Sequence, residues 1–106
     1  MKVATSGKTI PTATYTLAIA NQAVGAAACF TSAAIPLNNA LVANSVMVAS
    51  ARSELPKTAG GVHGRLTARL TADNSAVIDL DNNGAAALVA TAADIIIDVM
   101  ALEVSP

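Results

Sequence analysis

The sequence predicts an all-β protein: an antiparallel β-sandwich of the jelly-roll type, residues 12–106, behind an extended N-terminal arm, residues 1–11. Three observations lead there. Apolar residues recur at every second position in several segments, turn-forming residues separate those segments at short spacing, and 106 residues leave room for one domain only. Alanine, with 25 of the 54% apolar residues, would by propensity favour helix. The period-two alternation points instead to strands.

The elements follow in chain order. Met1 to Pro11 has no period, and Gly7 and Pro11 break regular structure, so the stretch reads as an arm. Thr14 to Ile19 places Tyr15, Leu17 and Ile19 on one face and threonines or alanine on the other, within a strand over 13–20. Strands over 26–35 and 45–50 follow, separated by Pro36 and Asn38-Asn39. Within 62–71, Leu66, Ala68 and Leu70 point inward while Arg65, Thr67, Arg69 and Thr71 meet solvent. Asp73-Asn74 is a turn into the next strand, 76–80, where Ala76, Ile78 and Leu80 oppose Val77, Asp79 and Asp81. Asn82-Asn83-Gly84 reads as a second hairpin turn, because Asn-Gly suits positive φ, and a strand over 86–90 or a helical turn follows it. The last strand, 95–104, has Ile95, Ile97, Val99 and Ala101 on one face and Ile96, Asp98, Met100 and Leu102 on the other. Apolar on both faces apart from Asp98, it is either central or covered by another subunit. A further short strand is placed near Lys8.

Charge and composition exclude several functions. Six Lys and Arg face seven Asp and Glu, and Tyr15 and Phe30 are the only aromatics, so neither a basic footprint nor a stacking platform for nucleic acid is present. No continuous apolar run reaches the roughly 18 residues of a membrane helix, and the first sixteen residues contain no apolar core of a secretory signal. Cys29 is the sole cysteine, so no intrachain disulfide can form; within Ala-Ala-Cys-Phe it reads as a small buried hydrophobe.

Catalytic constellations fail on counting. His63 is the only histidine and reads as a solvent-exposed strand-start residue. No nucleophile elbow, phosphate loop or dinucleotide fingerprint is present, and no cofactor or metal is implied. Asp79 and Asp81 share a strand face opposite Arg65 and Arg69, which reads as cross-strand ion pairing rather than acid–base chemistry. Asp79 to Gly84 matches the first half of a calcium loop, but the position needing a bidentate Glu is Ala90.

Val46-Met47-Val48-Ala49-Ser50, Leu55-Pro56, Gly60-Gly61-Val62, the run Leu66 to Leu80 and Asn83-Gly84-Ala85-Ala86 together resemble a small jelly-roll module of tailed-phage virion proteins, among them head decoration proteins and tail-fibre or spike components. Ala43-Asn44 stands where such modules often have Gly-Asp, and Asn83 where they have Thr. The resemblance implies a non-enzymatic virion protein synthesised in the host cytoplasm: a homotrimeric capsid decoration protein whose partners are its own copies and the major capsid protein. The subunit contact then falls on Ile96, Met100 and Leu102, and the capsid-contact arm on Lys2, Val3, Lys8 and Ile10. The alternatives are a receptor- or glycan-binding module of a tail or head fibre, or another small capsid or tail structural protein; a small enzyme ranks last.

Overall fold

The computed structural model describes residues 2–3, 10–38 and 40–105, and among these the regular structure is β apart from one 3₁₀ turn, Ile19–Asn21. Eight strands run in chain order: β1 (Lys2–Val3), β2 (Thr12–Leu17), β3 (Cys29–Thr31), β4 (Ile35–Pro36), β5 (Ser45–Ala51), β6 (Arg65–Ala72), β7 (Ser75–Asp81) and β8 (Ile95–Ser105). They form two antiparallel sheets packed as a sandwich, each built on one long central strand. In the first, β2 and β5 flank β8: Met100 has Thr12 as its neighbour on one side and Val48 on the other. β1 pairs with the far end of β8, Lys2 opposite Ser105 and Val3 opposite Val104. In the second sheet β6 takes one edge of β7, while β3 and β4 lie end to end along the other, Phe30 against Leu80 and Ile35 against Ala76.

The alternation in the sequence decides what lies between the sheets. Successive side chains point to opposite faces, so β8 turns Ile95, Ile97, Val99 and Ala101 inward, all essentially inaccessible, to meet Ala76, Ile78 and Leu80 of β7. Leu17, Val24, Ile35, Leu37 and Leu88 close the ends of this core, and Tyr15, Phe30, Met47 and Leu66 pack against it half-buried. The β6–β7 hairpin turns on Asp73-Asn74, with Asn74 at φ 61°, a left-handed conformation that asparagine tolerates. That turn is docked: the Ala40 amide donates to Asn74 Oδ1 at 2.9 Å and the Val42 amide to Asp73 Oδ1 at 2.9 Å. Gly64 admits the chain into β6, since a Cβ there would stand 2.9 Å from Leu80 Cδ1 and 3.0 Å from Leu88 Cδ1.

Several expectations are corrected. The segment 86–90 forms no strand and contributes only one bridge, Val89 to Lys57. Asn83-Gly84 is not a hairpin turn, as neither residue has positive φ; the Asn82 side chain, treated below, shapes that loop instead. The strand expected over 26–35 is split into β3 and β4, and between them the Ser32 hydroxyl takes the place of a backbone acceptor for the Ile78 amide at 3.0 Å. The strand from 13 ends at Leu17, where the chain turns into the 3₁₀ segment whose Ile19 amide donates to Asp94 Oδ1. Val77, expected on the solvent face, is buried. Cys29 is exposed rather than buried, because β3 is an edge strand and its side chain shares the outer face with Asp81. The strand placed near Lys8 falls outside the described residues; within the arm, β1 is the element present.

Because Ile97 is fully buried at the centre of β8, Ile97→Ala should cost about 2–5 kcal/mol in denaturant unfolding. Thr67→Ala, on the exposed face of β6, should stay within about 0.5 kcal/mol of the parent.

Candidate functional site

The two outer faces of the sandwich differ in charge. On the β7 sheet, the register sets Arg65 opposite Asp81 and Thr67 opposite Asp79, with Arg69 one pair further along. Arg69 Nε donates to Asp79 Oδ2 at 3.0 Å and Thr31 Oγ1 to Asp79 Oδ1 at 2.6 Å. Cross-strand ion pairing is thus present at Asp79. Burial pushes the Asp79 carboxyl up, but the bonds from Thr31 and Arg69 outweigh it and hold the group below its ordinary value of 3.8. Cys29 stands beside this network. Hydrogen bonding to Asp81, then desolvation, raises its thiol, so it is a poor thiolate nucleophile at neutral pH.

The outer face of the β8 sheet is built from four cross-strand rows. Val46 pairs with Leu102; Val48, Met100 and Thr12 share a row; so do Ser50, Asp98 and Thr14; Ile96 lies beside Thr16, and its carbonyl accepts from the Arg52 amide. The residues predicted for subunit contact, Ile96, Met100 and Leu102, therefore share this face, and Val46 and Val48, whose faces sequence reasoning did not assign, join them. Val46, Val48 and Met100 are 37%, 42% and 36% exposed. The Ala101 amide donates to the Pro11 carbonyl, which brings Ile10, 48% exposed, to the level of Leu102. Of the other predicted arm residues, Lys2 and Val3 belong to β1 and Lys8 lies outside the described residues.

One ion pair interrupts the apolar rows, and sequence reasoning missed it. Arg52 Nε and Nη2 donate to Asp98 Oδ2 and Oδ1, both at 2.8 Å, in the bidentate geometry suited to a guanidinium and a carboxylate. The bond from Arg52 holds the Asp98 carboxyl below its ordinary value of 3.8, aided by Thr14. The signal was the register: Arg52 lies just beyond β5 on the parity of Val48 and Ser50, and so meets the one charged side chain on that face of β8.

One end of the sandwich is held by two buried side-chain amides. Asn82 Nδ2 donates to the carbonyls of Val24, Gly25 and Ala86, and its Oδ1 accepts from the Gly84 amide. Gln22 Oε1 accepts from the amide and hydroxyl of Thr91, while its Nε2 reaches the carbonyls of Leu17 and Ala93. Their role could not be read locally, because Asn21-Gln22 and Asn82-Asn83 look like ordinary turn residues.

His63 is exposed and lies 3.5 Å from Glu54, which also pairs with Lys57 at 3.7 Å, beside an open groove of about 300 Å³ lined in part by Thr58, Val89 and Thr91. No group of three metal-ligating side chains occurs among the described residues. In the half calcium loop, Asp79 is engaged by Thr31 and Arg69, and Asn82 points into the protein. No known protein family, curated protein or solved structure matches the chain.

Two outcomes follow. Asn82→Ala leaves the Ala86 carbonyl without its donor and the Gly84 amide without its acceptor, and takes one of two donors from each of the Val24 and Gly25 carbonyls, so unfolding free energy should fall by about 2–4 kcal/mol. Both Asp79 and Asp98 have lowered values, so the stability they contribute is present above 3.8 and is lost as pH falls through their shifted range. By carboxyl NMR titration, Arg52→Ala should move Asp98 back up and leave Asp79 in place.

Proposed function

We propose that this chain is a non-enzymatic virion structural protein of a tailed phage, a homotrimeric decoration protein that binds the head lattice and stabilises it. The carrying observation is the charge-neutral apolar outer face of the β8 sheet, where Val46, Val48, Met100 and Leu102 form two adjacent cross-strand pairs. Apolar side chains clustered on one sheet face mark an association surface, whereas the opposite face, with Arg65, Arg69, Asp79 and Asp81, suits water or a polar partner.

The strand pairing supports a jelly roll as the finer description of the sandwich. The first long strand, β2, pairs with the last, β8; β3 and β4 pair with the last but one, β7; β5 then joins β8 and β6 joins β7. This is the order of a chain doubled back and rolled up, with the tight β6–β7 hairpin in place of the innermost pair of an eight-stranded roll. The residues that resemble jelly-roll modules of tailed-phage virion proteins, 46–86, supply β5, β6 and β7. The capsid contact is assigned to the arm, Lys2, Val3, Lys8 and Ile10, as the resemblance implies. A glycan-binding role is disfavoured because Tyr15 and Phe30 both pack against the core, leaving no aromatic platform for a sugar ring.

The test is a copy count in purified particles by quantitative mass spectrometry. Hundreds of copies located on the head agree with decoration; a handful at the tail, or none, would overturn it.

A further inference from the structure

We infer that Asn83 is a modification site of the folded chain, where the Gly84 nitrogen closes a succinimide ring on the Asn83 side chain, and that Asn82 sets the rate by holding the Gly84 amide. The inference is independent of the virion reading above.

The chemistry is that of an asparagine followed by a glycine. The backbone nitrogen of the following residue gives up its proton to base and attacks the side-chain Cγ. The Cγ–Nδ2 bond breaks, and the amide nitrogen takes a proton from solvent and leaves as ammonia. Water then opens the ring at either carbonyl, giving aspartate or isoaspartate, so the only co-reactant consumed is water. Most residues hinder the attack with their Cβ, whereas glycine has none and takes up backbone angles that others avoid. Of the seven asparagines, Asn83 alone precedes a glycine.

The fold exposes the electrophile and restrains the nucleophile. Asn83 is exposed, and its side chain makes no hydrogen bond to another described residue, so its carboxamide can turn onto the chain that follows. The Gly84 amide is tied instead: it donates to Asn82 Oδ1 at 2.9 Å. Asn82 cannot follow that amide as it swings, because the residue is 2% exposed and its Nδ2 donates to the carbonyls of Val24, Gly25 and Ala86. Thr58 crowds Gly84 as well, its Cγ2 standing 3.1 Å from where a Cβ on Gly84 would lie. The bond to Oδ1 must therefore open before the Gly84 nitrogen can lose its proton and reach Asn83 Cγ. Asn82 and Asn74 differ from Asn83 in both respects: neither precedes glycine, and each has its carboxamide engaged, Asn74 by the Ala40 amide. The product acts on the same loop. Isoaspartate adds a methylene to the main chain just before Gly84 and puts a carboxylate where a neutral amide stood, two residues from Asp81. The Gly84 amide then no longer meets Asn82 Oδ1, and the end of the sandwich that Asn82 holds is loosened.

The experiment ages the full chain in neutral buffer, with and without guanidinium chloride, and follows aspartate and isoaspartate at each asparagine by peptide mass spectrometry. Asn83 should be the first asparagine converted in the native chain, with isoaspartate as a product, and more slowly than in denaturant. Asn82→Ala should speed the native reaction roughly 2- to 10-fold, the range that one ordinary hydrogen bond is worth. Ile97→Ala, with a similar expected loss of stability far from the loop, should leave the rate unchanged, which separates the tether from general loosening. Where circular dichroism shows that Asn82→Ala does not fold, hydrogen exchange at the Gly84 amide of the parent decides, and protection is expected. Conversion of another asparagine first, or none at Asn83 in the native chain, overturns the site. Equal rates in native and denatured chain, equal acceleration by Asn82→Ala and Ile97→Ala, no acceleration by a folded Asn82→Ala, or an unprotected Gly84 amide overturns the role of Asn82.

Discussion

The structure depends on the packing of two central strands against each other. With one Phe, one Tyr and no Trp in the chain, no single large side chain can fill the space between the sheets. The volume comes instead from Ile78 and Leu80 of β7 and from Ile95, Ile97 and Val99 of β8, all fully or almost fully buried. Each of these strands is the middle member of its sheet, so its backbone groups are paired on both sides and its inner side chains are covered from all directions. The alanines then have a clear role. Ala13, Ala49, Ala68, Ala76 and Ala101 sit around the larger residues and let the layers close on them.

That arrangement leaves the ends of the sandwich to be held by polar groups. The long connection after β7 contains no strand, and hydrogen bonds from Asn82 and Gln22 fasten it to the segment after β2. Buried amides are tolerated here because every one of their polar atoms finds a partner. The same residues explain why Asn83-Gly84 does not reverse the chain as a hairpin. Asn82 Oδ1 takes the Gly84 amide and Nδ2 takes the Ala86 carbonyl, so the loop winds around its own side chain.

Where strands alternate strictly, the sequence was a reliable guide: β2, β6, β7 and β8 were legible, with their inward faces, because period two directly encodes a half-buried strand. The Asp73-Asn74 hairpin and the Asp79–Arg69 pair were legible for the same reason, since register follows from the turn. What failed depended on partners distant in sequence. The fate of 86–90 is decided by Asn82 and by Lys57, and the exposure of Cys29 by β3 lying at an edge; neither fact leaves a local signal. On the outer face of β8, Ile96, Met100 and Leu102 could be picked out because a strand apolar on both sides needs a second cover. Val46, Val48 and Arg52 became visible only once β5 was placed beside β8.

The few charges of the chain are placed unevenly on its two outer faces. The β7 sheet presents a charged network, and the β8 sheet presents a neutral apolar face whose single ion pair is internally satisfied. The central claim is that this face is covered when the chain assembles. Concentration-dependent oxidation of Met100 by dilute peroxide, followed residue by residue in the peptide mass spectrum, tests it most directly, with the inward-facing Met47 as internal reference. The account predicts that Met100 oxidises faster than Met47 at nanomolar protein and becomes protected as concentration rises into the micromolar range. A Met100 oxidation rate that is the same at all concentrations would contradict it.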